Sequence, residues 1–521
     1  MNNKRDSLKG KELEEAVLTE KLMGTPDVEI GRKYGVTFKY IEKIITKVHG
    51  LNISAINIQK KIKSYQPKDF KEERTTVWSF KQRGNWATHS GEYRGNWSPY
   101  IPRNVILKYS KPGEVVLDYF CGAGTTAVES KLLGRRCIAI DINENAIELA
   151  KKNLDFEIEP QRSLFDEENK IAPNLSGYEP QLIIGDARDL SFIDNDSIDL
   201  ICAHPPYANI IHYTDSKVGD LSLLNMEEFL KEMFIVAKES YRVLKPGKKC
   251  AILIGDTRSK KHVIPLGFKL IDVFLKAGFL LKELVIKRQH NCKTTGFWYE
   301  NSIKYNFLLL AHEYLPIFEK PKIEGAHILK EAKENYNSIF TVKEDIKLKR
   351  KLDKLETTTV WIFPDNEFEK LLDRNVIERY SNKKNYLVIS LYSENKSEVS
   401  SSTKKSNNKN ELLFIKSPII SFNSSLDVEY YINRIKNIVK EELQYLHSGG
   451  FLVIQAHDIR INGYIEPLAK RVVEEICDDK LWLKEIIIVI KENELDNTES
   501  TSDELLIKHQ YLIVYEKTKD N

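Results

Sequence analysis

The chain has 521 residues, 79 Lys+Arg against 76 Asp+Glu for a formal charge of +3, and 41% hydrophobic and 30% charged residues. Length alone predicts two to four domains, and the composition is that of an ordinary soluble globular protein. No run approaches the ~18 apolar residues of a membrane span, and the start, MNNKRDSLKGKELEEAV, lacks the apolar stretch of a signal peptide. Cys121, Cys137, Cys202, Cys250, Cys292 and Cys477 are scattered without a C-x-x-C pair, so neither a metal site nor a disulfide framework is expected and a reducing cytoplasm fits.

Residues 1–68 read as short helices. TPDVEIGRKYGVTFKYIEKIITKVHG carries a helix-turn-helix pattern, with Gly31 where two helices cross and Gly35 at the turn. Ile30, Tyr34, Val36, Ile41 and Ile44 are spaced to share one small core. The second helix then exposes Lys39, Lys43 and Lys47. From Arg32 to Lys68 nine basic residues face a single Glu42, a local excess that points to a polyanion such as duplex DNA. A solvated basic helix face in a plain three-helix unit is the alternative.

Residues 69–320 alternate strand-like runs (EVVLDYF, RRCIAIDI, PQLIIGD, IDLICAH, CAILIGD) with helical patterns, which predicts an α/β doubly wound, Rossmann-like sheet. In VVLDYFCGAGTTAVES an apolar strand ends at Asp118. A turn with Gly122 and Gly124 comes next, and a helix begins near Thr125, so that backbone N–H groups and a helix N-terminus face a ligand. The tail is not G-K-[ST], which disfavours a phosphate P-loop. Asp141 ends the next strand, about twenty residues on, where a carboxylate can accept both ribose hydroxyls of an adenosine ligand. Asp186 ends the third, within reach of an adenine amino group. Any one of these acids alone would read as a helix cap.

The fourth strand ends in His204-Pro205-Pro206-Tyr207, two prolines in succession that stop the strand and hold the next side chain in a rigid extended pose. The pair DYFCGAGTT and HPPY resembles the amino-group DNA methyltransferases, which carry D-x-F-x-G-x-G-T-T and then [N/D/S]-P-P-[Y/F/W]. GNWSPYIPRNVILKYSKPGE also resembles the segment this family places before its glycine motif, over the methionine part of S-adenosylmethionine. The resemblance covers about residues 75–320. It implies a site-specific methyltransferase acting on N6 of adenine or N4 of cytosine, in a restriction-modification or epigenetic system, with S-adenosylmethionine as cofactor and no metal. It also implies a bacterial-type, nucleoid-associated location, double-stranded DNA as partner and a cognate restriction endonuclease as a further one. Asp118, Phe120, Gly122, Gly124, Thr125, Asp141 and Asp186 would hold the cofactor. His204 and the Pro205 carbonyl would accept the two hydrogens of the target amino group, Pro206 would stiffen them, and Tyr207 would stack on an extruded base. The departure is His204, where the family has Asn, Asp or Ser; a neutral imidazole still accepts one hydrogen bond.

Asp186 and His204 lie too close in sequence for a target-recognition domain to fit between them. Sequence reading would come from the N-terminal helices, the loop after Tyr207, the C-terminal part, or IKRQHNCKTTGFWYEN. In that last segment Gln289 and Asn291 could read adenine, and Lys287 and Arg288 could bind phosphate. Residues 321–356 read as a charged helical connector. Residues 357–521 read as a degenerate methyltransferase-like α/β half-repeat: GGFLVIQAHDIR repeats GKKCAILIGDTR, HQYLIVYEK repeats HEYLPIFEK and TTVWIF repeats TTVWSF, in the same order. The counterpart of the catalytic strand is expected in NYLVISLYSEN, and ENKSEVSSSTKKSNNKNE reads as a polar loop. Two alternatives keep part of this reading: an RNA or protein N-methyltransferase, and a catalytically inactive DNA-binding regulator.

Overall fold

The computed structural model describes residues 10–22, 25, 27–37, 40, 41, 44, 62, 64–68, 70–91, 93, 95–156, 178–206, 219–259, 262–290, 295–322, 352, 355–382, 385–391, 409–417, 425–476, 478–495 and 504–518. The chain divides into two units, one of residues 1–72, 82–253 and 276–278, the other of 73–81, 254–275 and 279–521. No helix among the described residues is long and apolar enough to cross a membrane.

At the start of the first unit, helices Lys11–Leu22 and Asp27–Tyr34 bury Val17, Ile30, Ile41 and Ile44 together, with Tyr34 and Val36 packed at the edge. Gly35 comes directly after the second helix with φ +66, a backbone state that glycine adopts without steric cost. Lys39, Lys43 and Lys47 lie outside the described residues.

Strand β1 (Val77–Ser79) belongs to the second unit. The first unit is built on β2 (Val115–Asp118), β3 (Arg136–Asp141), β4 (Gln181–Ile184), β5 (Ile198–Ala203) and β6 (Leu244–Ile252). They lie in the order β6-β5-β2-β3-β4, all parallel. Every residue of β5 is buried, as expected for a central strand covered on both faces. The helices Tyr100–Tyr109, Thr125–Leu132, Glu144–Leu154 and Met226–Val243 occur in this unit. The last opens with a capping box between Asn225 and Glu228. The chain adds β3 and β4 on one side of β2, then crosses to add β5 and β6 on the other. The order therefore reverses between β2 and β5, and the carboxyl ends of these two strands open a crevice, the usual ligand position in such sheets.

One buried carboxylate fixes that junction. Asp199 of β5 accepts the Val115 N–H at 3.1 Å and the Lys245 ammonium at 2.8 Å, tying the starts of β2, β5 and β6. Asp199→Ala strands the Val115 donor and should cost about 1–3 kcal/mol, read as a lower denaturant midpoint with an unchanged m-value.

The second unit contains β1, the small hairpin β7 (Thr257–Ser259) and β8 (His262–Ile264), β9 (Leu280–Arg288) and β10 (His312–Glu319). β1 is parallel and β10 antiparallel to β9. Its other large sheet comprises β11 (Val360–Phe363), β12 (Tyr386–Ser390), β13 (Asn410–Lys416), β14 (Leu446–Ala456), β17 (Leu481–Lys491) and β18 (Gln510–Lys517), in the order β11-β17-β18-β14-β13-β12. A hairpin of β15 (Ile459–Ile461) and β16 (Tyr464–Glu466) comes after β14. Trp361, Phe414, Val453, Ile487 and Leu512 form its core with the helix Phe368–Tyr380.

This order corrects one expectation. The run containing β12, NYLVISLYSEN, stands at the sheet edge, whereas β13 lies beside β14 as β5 lies beside β6. The strand in the sheet position of β5 is therefore β13, beyond the polar loop. Two short apolar runs that both suit a parallel strand are indistinguishable until pairing assigns them. The connector, 321–356, falls almost wholly outside the described residues.

Candidate cofactor and amino-group site

A cleft of about 730 Å³, open to solvent, lies at the carboxyl ends of the first unit's strands. Its lining joins the turn after β2 (Tyr119, Phe120, Cys121, Gly122) with Asp141, Asp186 and the end of β5 (His204, Pro206). The segment Tyr93, Gly95, Asn96 and Trp97 and the loop Gly219–Leu221 complete it.

The turn is shaped by hydrogen bonds to two carboxylates. Asp118, 2% exposed, accepts the Phe120 N–H at 3.0 Å, and Asp141 accepts the N–H of Gly122 at 2.9 Å and of Asn143 at 2.8 Å. Gly122 has φ +50, and a Cβ there would sit 3.1 Å from the Tyr93 ring, so the backbone reaches the cleft wall only as glycine. Thr125 opens the next helix and donates to Asn96 Oδ1 at 2.5 Å, binding the turn to the 93–97 segment. Gly124, at the helix N-cap, and Thr125 stand behind the lining rather than in it. Asp118 likewise lies behind it.

Asp186 lines the cleft but carries an ion pair with Arg188, whose guanidinium also bonds Glu232. Gly219 lets this pair approach: a Cβ there would fall 2.8 Å from Arg188 Nη2. At the end of β5 the His204 ring stacks on Trp97, centroids 5.6 Å apart and planes 20° from parallel. Tyr207 lies outside the described residues.

Several contributors carry little or no sequence signal. Arg83 forks onto two successive carbonyls, Asn96 O at 2.6 Å and Trp97 O at 2.8 Å, and so holds the segment that stacks on His204. Burial lowers this guanidinium to about 10, which leaves it charged at neutral pH. Glu129, fully buried on the helix after the glycine turn, receives Trp86 Nε1 at 2.7 Å and Arg103 Nη1 at 2.8 Å, with His89 Nε2 also at 2.7 Å. Asp220 lines the cleft and caps the short turn Leu221–Leu223 through the Ser222 N–H. GNWSPY was the only sequence signal for Trp97; Arg83 and Glu129 have none, because their partners are remote in sequence.

Lys287, Arg288 and Gln289 belong to the second unit. Lys287 pairs with Glu313 at 2.8 Å, Arg288 donates to Ser79 Oγ at 3.3 Å, and the Gln289 N–H bonds Ala311 O at 2.8 Å. Asn291 lies outside the described residues.

A family model for DNA methylases of the N6/N4 type matches residues 31–152, 198–411 and 395–521. The chain belongs to that family. A model for RNA cap guanine-N2 methyltransferases also matches residues 113–244. Among curated proteins, the type II methyltransferase M.SmaI of Serratia marcescens is 36% identical over 88 residues, 17% of this chain and 29% of its own. M.HpaI of Haemophilus parainfluenzae is 46% identical over 70 residues, 13% and 22% of the two chains. The tRNA (guanine(10)-N2)-dimethyltransferase of Methanothermobacter thermautotrophicus is 30% identical over 145 residues, 26% and 34%. The match thus spans about a third or less of each of these relatives.

As a member of the DNA methylase family, the chain has S-adenosylmethionine as its cofactor. The residues present fit that group. The cleft offers a glycine cradle that a Cβ would obstruct, aromatic walls in Tyr93 and Phe120, and three carboxylates suited to hydroxyls and to a cationic, amino-bearing ligand.

Arg83→Ala should release the 93–97 segment and weaken S-adenosylmethionine binding about ten- to a hundredfold, the worth of a charged hydrogen-bond pair, in calorimetric titration. Burial, with the Asp141 charge adding, pushes the Asp118 carboxyl up from 3.8 to about 7. A raised acid favours the folded state most below its unfolded value and loses that advantage as pH rises through the folded one. Melting temperature should therefore fall more between pH 5 and 8 in the wild type than in Asp118→Asn, which keeps the acceptor for Phe120.

Proposed function

We propose that this protein methylates an exocyclic amino group of a base in double-stranded DNA, the base being turned out of the helix. The observation that carries the reading is that His204 and Pro206 line the same cleft as Gly122 and Asp141. S-adenosylmethionine supplies an electrophilic methyl on a sulfonium. Gly122, Phe120, Asp141 and Asp186 would hold it, with Tyr93 and Asn96 on the facing side; Asp118, Gly124 and Thr125 serve by shaping the turn.

The amino nitrogen of a base is a weak nucleophile because its lone pair is shared with the ring. His204 and the Pro205 carbonyl accept its two hydrogens, draw it toward sp³ geometry and free the lone pair. Two prolines fix the direction of both acceptors, and Trp97 fixes the plane of the imidazole. As the nitrogen gains carbon it sheds one proton, and neutral His204, already its hydrogen-bond acceptor, is the group placed to take it. Tyr207 then stacks on the extruded base. Lys39, Lys43 and Lys47 are candidates for contact with the duplex, and Lys287, Arg288, Gln289 and Asn291 are further ones. The setting is a restriction-modification or epigenetic marking system.

A second reading replaces DNA by RNA. It is favoured by the RNA cap guanine-N2 model over residues 113–244, since the guanine N2 amino group makes the same demands on the site. Transfer of labelled methyl from S-adenosylmethionine to duplex DNA or to RNA decides between them. On the substrate that is labelled, His204→Ala should lower kcat about a hundred- to a thousandfold, the usual effect of removing one such stabilising contact, with cofactor affinity retained. Loss of both together would instead indicate a collapsed site.

A further inference from the structure

Within the second unit, elements from the two halves of the chain meet through contacts that are exchanged in pairs. Arg258 bonds Glu485 and the Leu308 carbonyl, while Arg460 bonds Glu283, at 2.5 Å, and the Leu505 carbonyl. Glu485 accepts the Leu308 N–H at 3.0 Å and Glu283 the Leu505 N–H at 3.2 Å. His312 Nδ1 lies 2.9 Å from Thr359 Oγ1, and His509 Nδ1 lies 2.8 Å from Thr76 Oγ1. The Thr359 N–H bonds Leu309 O and the Thr76 N–H bonds Leu506 O, both at 2.9 Å. Arg258, Glu283, His312 and Thr76 of the N-terminal half thus meet Glu485, Arg460, Thr359 and His509 of the C-terminal half, each contact matched by its reverse, while each arginine also bonds a carbonyl of its own half. That reciprocity is the signature of a two-fold, isologous interface between two copies of one protein.

Strand register shows what the second copy has lost. Ile201 pairs with Cys250 and Leu413 with Leu452, and Cys250 and Leu452 are equivalent in the repeated GKKCAILIGDTR and GGFLVIQAHDIR. Continuing along the strand, Lys416 and Ser417 take the places of His204 and Pro205, and the sequence continues Pro418-Ile419 where the first half has Pro206-Tyr207. An ammonium has no lone pair to offer an amino group, and Lys416 is bound to Asp373 at 2.8 Å and Glu369 at 2.9 Å. Because Leu117 pairs with Ile201 and Leu387 with Leu413, Val388 stands where Asp118 does. Residues 387–401 contain no glycine.

We infer that the C-terminal half stands in for the second subunit of a two-fold methyltransferase dimer, so that one chain supplies both sides of the interface and holds one methylation centre. The two-fold frame persists, and only one half retains acceptors. The inference rests on the proposed reading of the protein as a DNA methyltransferase, and the test separates the two.

The full chain is incubated with duplex DNA and S-adenosylmethionine, the modified bases are mapped strand by strand, and the protein is sedimented over a concentration series. The expected result is modified DNA and the mass of a single chain throughout. Arg258→Gln and Arg460→Gln should each lower the melting temperature without changing that mass. A two-chain particle that Arg258→Gln dissociates would overturn the inference. DNA left unmodified would refute the proposed function, while the sedimentation result would still decide whether one chain supplies both sides of the interface.

Discussion

The parallel pairing of β2 with β5, Val116 against Leu200 and Leu117 against Ile201, is the constraint on which the site depends. It is where the strand order reverses, so the chain leaves these neighbours toward opposite faces and a gap opens above their ends. The glycine turn leaves β2 and the His-Pro-Pro run leaves β5. Without this one pairing the glycine turn and the His-Pro-Pro run would belong to different parts of the surface. Asp199, bonding at once to the start of β2 and to Lys245, fixes the register that places them level.

A second layer of charge holds the front wall of the cleft. The described residues between 83 and 97 form neither helix nor strand, and they are held by Arg83 gripping two carbonyls and by Glu129 collecting Trp86, His89 and Arg103. A fully buried carboxylate is costly unless its oxygens are satisfied; here both oxygens have partners, and the result is a fixed platform for Trp97 against His204. The same economy appears in the second unit, where Glu283 and Glu485 are buried against Arg460 and Arg258. Burial raises both carboxyls despite those arginines, so each ion pair specifies geometry more than it adds stability.

Much of this is legible in the chain itself. Strand runs of four to nine residues separated by amphipathic helices identify the α/β class; β2, β3, β4 and β5 lie within the runs expected, whereas β6 begins at Leu244 and shares only Cys250–Ile252 with its run CAILIGD. The glycine turn, Asp141, Asp186 and the His-Pro-Pro run can be read because their chemistry is local: a turn, a strand end, a proline. Other residues differ from their sequence reading. Asp118 shapes its own turn from behind the lining, and Asp186 carries an Arg188 guanidinium that no spacing rule announces. The repeat is visible as short matches, yet the counterpart of β5 falls in a different run from the one expected, because an edge strand and its neighbour have the same composition.

Sequence by itself determined the fold class, the order of the glycine-turn and His-Pro-Pro motifs, the family they resemble and the short in-order matches between the two halves, since each is written in residues adjacent along the chain or in their period. Tertiary structure decided which strands are neighbours, that Trp97 covers His204, that Arg83 and Glu129 hold the wall, and that the two halves exchange contacts reciprocally. Those facts join residues tens to hundreds of positions apart, and such pairs are set by sheet order and by the need of buried charges for partners, neither of which a local pattern records.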